Sequence, residues 1–407
     1  MGQVKVMKTV LAKRVSKRIL TVPESEREHL LTMAQGLDDV IMLGRGDPDL
    51  ETPPHIIEAA VKALRNGYTH YTHWAGMLEL RQAISDKLKR DNKLAYNPDT
   101  EIVVTTGLQE AIFVILQGLL NPGDEVLIAD PLYMSYDRAV KLAGGRTVFI
   151  PTYEQDDFAL KPEAILEHIT PMSKVLVLVS PNNPTGAIIP EKTLEIISDI
   201  AKDNNLLVIS DEIYEKLIYD GSKHISIASF PDMHDRTIVL NGFSKAYSMT
   251  GWRIGYMAAP ADFIKKIQIL KHTLTISVNH AAQAGAIAAL TRGEECIHQT
   301  VEIYRERLNF LMSQLDRMGL TYGYPSGAMY IFTNIASTHR TSSEFCRDLL
   351  MDSHVLLFPG TAFGNAEGYV RIPCLIPIEQ MRIAAQRMGD VVRDYISNDR
   401  GPKNGGG

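Results

Sequence analysis

Short apolar runs rich in β-branched residues, alternating with helical segments, constrain this chain's fold more than any other feature. They are Ile102–Thr105, Glu125–Ala129, Arg146–Ile150, Val175–Val179, Leu206–Ser210, Thr237–Leu240 and Arg253–Ala258. Runs that stay apolar at successive positions suit strands buried on both faces, and that is how a mostly parallel sheet covered by helices reads in sequence. The expected fold is therefore α/β, a mostly parallel seven-stranded sheet sandwiched by helices. In open sheets of this kind ligands sit beyond the carboxyl ends of the strands. Gly107, Tyr133, Asn183, Asp211 and Lys245 all stand just after such runs, so five separate loops would meet at one rim.

From about Cys296 the texture changes to a polar amphipathic helix, Glu302–Met318, then a Gly/Pro-bearing strand region and a helix near Ser342–Met351. This predicts a second, smaller α+β domain built from both chain ends, because the segment before Pro53 has no strand partner of its own. The expected division is an N-terminal arm and part of the small domain (1–52), a large ligand-binding domain (53–295), a small C-terminal domain (296–397) and a flexible tail (398–407). Lys5, Lys8, Lys13, Arg14, Lys17 and Arg18 precede the first acid, Glu24. With no apolar core or small-residue cleavage site, this start reads as a solvated basic arm and not a transit peptide. The closing NDRGPKNGGG has no apolar residue to bury and predicts a mobile tail.

Composition removes several classes of function. At 407 residues, with 45% hydrophobic and 22% charged, the chain can bury a large core without disulfides or metals. A net charge of -6 offers no global field for a polyanion, so no nucleic-acid partner is expected. The longest apolar stretch, Ala111–Leu116, falls far short of the roughly 20 residues of a membrane helix. Cys296, Cys346 and Cys374 are widely spaced and lack a C-x-x-C pattern, which predicts neither disulfide nor zinc site and fits a reducing cytoplasm.

The most informative stretch is NGFSKAYSMTGWRIGY, residues 241–256. Lys245 falls in a loop after an apolar run, among the small residues Gly242, Ser244 and Gly251, which allow a ligand close to the backbone. Ser244 and Arg253 offer a hydroxyl and a bidentate fork suited to a phosphate. TTGLQEA, residues 105–111, joins a strand to a helix whose free N–H groups and dipole suit an anion. A lone lysine would mean nothing among 42 basic residues. The pattern S-K-x-x-x-M-T-G-W-R-x-G-Y, however, resembles the lysine motif of fold-type I, class I/II pyridoxal-phosphate aminotransferases, those like aspartate aminotransferase.

The resemblance covers roughly residues 11–396, with the motifs in family order. It implies pyridoxal 5'-phosphate held as a Schiff base on Lys245, and amino transfer from an L-amino acid to a 2-oxo acid. DEIY, residues 211–214, matches the element whose acid, Asp211, keeps the pyridine nitrogen protonated and whose tyrosine, Tyr214, bonds the ring's phenolic oxygen. The competing reading of Asp211 is a helix cap. Asn183 in SPNNPTG matches the asparagine shared by cofactor and substrate carboxylate, and Gly107, Leu108 and Gln109 match the phosphate loop. Tyr133 matches the aromatic stacked on the ring, Gly46 lies on a substrate segment, and Arg371 in YVRIP matches the α-carboxylate arginine. Tyr71 matches a tyrosine reaching the neighbouring subunit's phosphate, which implies a homodimer with shared sites. No metal is implied. Departures are Gly242 in place of a serine, Leu108 in place of a small residue, and Arg45 before Gly46. Arg45 is either a surface group or the partner of a substrate's distal carboxylate, while Trp74 and Tyr71 would suit aromatic donors. The same core motifs serve β-eliminating lyases, cyclopropane-carboxylate synthases and amino-acid oxidases. A cofactor-sensing regulator would need a fused DNA-binding module, and no helix-turn-helix pattern is present.

Overall fold

The computed structural model describes residues 9–22 and 26–397. The N-terminal part of the basic arm, Glu24 and the 398–407 tail lie outside the described residues. Seven strands form the main sheet: β1 (Ile102–Thr105), β2 (Glu125–Asp130), β3 (Arg146–Pro151), β4 (Ser173–Val179), β5 (Leu207–Asp211), β6 (Thr237–Gly242) and β7 (Gly255–Ala258). Their order is β1-β7-β6-β5-β4-β2-β3. Only β7 runs antiparallel to its neighbours. Every residue of β1 and β7 is buried, as is Val175–Val179 in β4, because helices cover both faces.

β1 matches the sequence expectation, and the other strand ends differ from it by at most two residues. Arg253 was expected to open the last strand of this sheet. Instead it closes a short 3-10 turn in a left-handed conformation, φ +53, and β7 starts two residues later. Such a φ is costly for a residue with a side chain. Here it turns the guanidinium towards Gly107, as described below.

A four-stranded antiparallel sheet follows, comprising β8 (Thr321–Tyr322), β9 (Tyr330–Asn334), β10 (Phe358–Pro359) and β11 (Tyr369–Pro373), in the order β10-β11-β9-β8. The Glu294–Met318 helix packs on it and starts eight residues before the amphipathic pattern becomes clear, because Glu294 and Glu295 suit a first turn. The Ser342–Ser353 helix is opened by a capping box between Thr341 and Glu344. The N-terminal segment does find a strand contact: Ile41 makes a single parallel bridge to Val355, and Leu30 and Leu43 join this sheet's apolar core.

Candidate active site

The carboxyl ends of β1, β2, β4, β5 and β6 and the start of β7 reach one rim of the main sheet, where it meets the small antiparallel sheet. There they enclose a cavity of about 440 Å³. Leu108, Gln109, Tyr133, Asn183, Asp211, Tyr214, Ser244, Lys245, Arg253, Arg371, Gly46 and Arg45 all line it. Gly107 sits just behind Arg253 at the same wall. Tyr71 does not line it; this tyrosine stands on an exposed loop.

Asp211 closes β5 and is buried. Its Oδ2 accepts the Tyr136 hydroxyl at 2.7 Å and its Oδ1 accepts the Ile213 N–H at 3.2 Å. Burial pushes the carboxyl up to about 6, against the pull of both hydrogen bonds. The helix-cap reading is thus partly true, since Asp211 caps a turn through Ile213, yet its carboxylate also faces the cavity. The Lys245 ammonium donates to the Gly46 carbonyl at 2.6 Å, bridging the β6 loop and the N-terminal segment.

A second group of polar atoms surrounds Arg371 on β11. Its Nη1 donates to Asn183 Oδ1 at 2.9 Å and its Nη2 to the Gly44 carbonyl at 3.0 Å. The guanidinium lies over the rings of Tyr330, at 4.3 Å, and Phe363, at 4.4 Å. Arg371 is buried, its Nε has no hydrogen-bond partner, and no carboxylate among the described residues pairs with it. A buried cation in that condition is a strong docking point for an outside carboxylate. Asn183 Nδ2 also donates to the Tyr214 hydroxyl at 3.4 Å, and that hydroxyl lies 3.1 Å from the Tyr330 hydroxyl. Burial pushes the Tyr214 phenol well above its ordinary value, keeping it a neutral donor.

The third wall is the start of the Gly107–Leu119 helix. Gly107 has φ +68, and a Cβ there would stand 2.7 Å from Arg253 Nη2. The glycine therefore provides both the turn and the room for the guanidinium, which is fixed by a 2.9 Å bond to the Thr250 carbonyl. Two of the family departures prove to be one feature. A Cβ at Gly242 would come within 3.0 Å of Leu108 Cδ1, so the larger Leu108 fits because residue 242 is small. Tyr133 reaches Gln109 across a long 3.4 Å bond.

Sequence reasoning missed Tyr136, Tyr330 and Phe363. Tyr136 stands in the first turn of the Ser135–Ala143 helix, three residues after Tyr133, and that nearness was a usable signal. Tyr330 comes from β9 and Phe363 from a short 3-10 turn after β10, where nothing local separates them from core aromatics. Gly46 fits closely beneath Tyr330, whose hydroxyl would meet a Cβ there at 2.8 Å.

The chain matches the family "Aminotransferase class I and II" over residues 38–388. Aromatic-amino-acid aminotransferase 2 of Thermococcus litoralis is 40% identical over 93% of this chain and 98% of its own length. Aspartate aminotransferase of Pyrococcus abyssi is 43% identical, with the same coverage of each chain. A solved structure, the aromatic aminotransferase from Pyrococcus horikoshii, superposes with a TM-score of 0.86 at 41% identity, covering 90% of this chain and 99% of that one. With such matches along nearly its whole length, the chain belongs to the class I and II aminotransferases, pyridoxal-phosphate enzymes of fold type I that transfer amino groups.

Proposed function

We propose that this enzyme transfers the amino group of a dicarboxylic L-amino acid to a 2-oxo acid, with Lys245, Asp211 and Arg371 as its working groups. The observation that carries this reading is that one cavity gathers an amine, a buried carboxyl and an unpaired buried guanidinium from three separate elements. The donor set suits pyridoxal phosphate: a helix start with Ser244 and Arg253 for a phosphate, Asp211 for a ring nitrogen, and Tyr214 with Asn183 for a phenolic oxygen. When bound, that cofactor supplies a carbonyl carbon that condenses with amines and a ring that accepts the electron pair left by bond cleavage at Cα. Asp211, as a carboxylate, holds the proton on the ring nitrogen. Tyr133, which lines the same cavity, would supply an aromatic surface for the ring. Arg371 and Asn183 fix the substrate carboxylate, and so determine which bond at Cα is aligned for cleavage. Lys245 is the covalent anchor and, once freed, takes the Cα proton.

The choice of a dicarboxylic donor rests on Arg45. It lines the cavity. Its guanidinium suits a distal carboxylate. Arg45→Ala should lower kcat/KM for aspartate or glutamate roughly a hundredfold while sparing alanine. Equal losses for both substrates, or none for either, would reject it.

We also propose a homodimer in the cytoplasm, with Tyr71 serving the partner's phosphate. An exposed apolar stripe supports the assembly: Ile57, Val61 and Leu64 recur at helical spacing on the Pro54–Arg65 helix. Three unpaired cysteines suit the location. No helix among the described residues is long and apolar enough to cross a membrane. The Ile41–Val355 bridge supports grouping residues 1–52 with 296–397 as the small domain, and 53–295 as the large one.

A further inference from the structure

A buried ion pair outside the groups assigned above lies at the base of the proposed phosphate seat. Glu110, in the first turn of the Gly107–Leu119 helix, is buried, and Lys271 of the Ala261–Thr275 helix is completely enclosed. Lys271 Nζ stands 3.3 Å from Glu110 Oε1 and donates to Thr275 Oγ1 at 2.6 Å. That hydroxyl in turn donates to Glu110 Oε1 at 2.5 Å. The other carboxylate oxygen, Oε2, accepts the backbone N–H of Thr106, the residue that caps the helix. The two helices come close because residue 118 is a glycine: a Cβ there would lie 3.1 Å from Ile267 Cγ2.

A carboxylate in a first turn favours the helix, but it works against a phosphate bound at the same helix end. A buried carboxylate so placed needs a counter-charge, and Lys271 supplies it. We propose that Lys271 is a positioning residue for the cofactor's phosphate. It cancels the Glu110 charge and holds that carboxylate on the Thr106 N–H, so the helix start remains an anion seat. Burial pulls the Lys271 ammonium below its ordinary value while Glu110 opposes the shift, as a tightly enclosed pair would show. The inference rests on reading Gly107–Gln109 as the phosphate seat.

The test removes the cofactor from the purified enzyme and titrates back pyridoxal 5'-phosphate or pyridoxal, which lacks the phosphate, while measuring the dissociation constant of each. In Lys271→Met the phosphate form should bind about tenfold more weakly or worse, while pyridoxal binding stays unchanged. The double variant Lys271→Met with Glu110→Gln should recover wild-type affinity, because the amide still accepts from Thr106 and no uncompensated charge remains. Equal losses for both ligands, no loss for either, or a double variant as weak as the single would overturn the proposal. If Lys271→Met fails to fold, Glu110→Gln alone decides: with the Lys271 charge uncompensated the phosphate form should bind more tightly while pyridoxal is unchanged, and no change in either overturns the proposal. A wild-type enzyme that binds both ligands equally would remove the phosphate seat itself, and the inference with it. A wild-type preference that Lys271→Met leaves intact removes the inference only.

Discussion

Asp211 shows how much of the chemistry depends on a single side chain's surroundings. Burial raises its carboxyl to about 6, so below that pH the group is largely neutral and cannot accept from a protonated ring nitrogen. Cofactor affinity of the stripped enzyme should therefore rise as pH increases through about 6. Asp211→Asn should flatten that rise, which a titration at several pH values will check. Asp211→Ala should slow proton abstraction by several orders of magnitude, read from single-turnover kinetics, and a tenfold effect or less would leave Asp211 as a structural cap. The residues most legible in sequence were those in local motifs: Lys245, Asp211, Asn183 and Arg253 each stood in a short pattern whose chemistry was specific. Arg371 was legible by type, but its lack of a partner was not, because Tyr330 and Gly44 reach it from distant parts of the chain.

Among the elements, the Gly107–Leu119 helix carries the largest share of the site. Its start depends on Gly107, where φ +68 and the nearness of Arg253 Nη2 both disfavour a side chain. Gly107→Ala should cost roughly 1–2 kcal/mol of stability through the strained backbone. By displacing Arg253 it should also weaken cofactor binding about tenfold. Thermal unfolding and a cofactor titration will separate the two effects, and unchanged affinity would mean that Arg253 has no part in holding the phosphate. The strands of the main sheet were readable because parallel strands buried on both faces leave continuous apolar runs. The left-handed Arg253 was not, since its conformation is imposed by Thr250 and the space over Gly107. The Lys271–Glu110 pair was equally hidden: its two residues lie far apart in sequence and meet only because Gly118 lets two helices approach.

For the whole molecule, the two sheets meet at a cavity to which each contributes: Lys245 and Asp211 from the large one, Arg371 and Tyr330 from the small one. Tyr71 is exposed and does not line this cavity, and the exposed Ile57, Val61 and Leu64 lie on the helix just before it in the chain. A homodimer joined over that stripe should sediment as a single species of twice the chain's 45.3 kDa. Tyr71→Phe should then weaken cofactor affinity without loosening the dimer. A fully active monomer would contradict both points. Lys245 is the group proposed to anchor the cofactor and, once freed, to move the Cα proton. The most direct measurement follows the visible absorbance of the purified enzyme as an L-amino acid is added without acceptor. The spectrum should change with one equivalent of 2-oxo acid released per site. Lys245→Ala should fold and retain some cofactor but show no turnover. Near-normal transamination by Lys245→Ala would contradict the role given to Lys245.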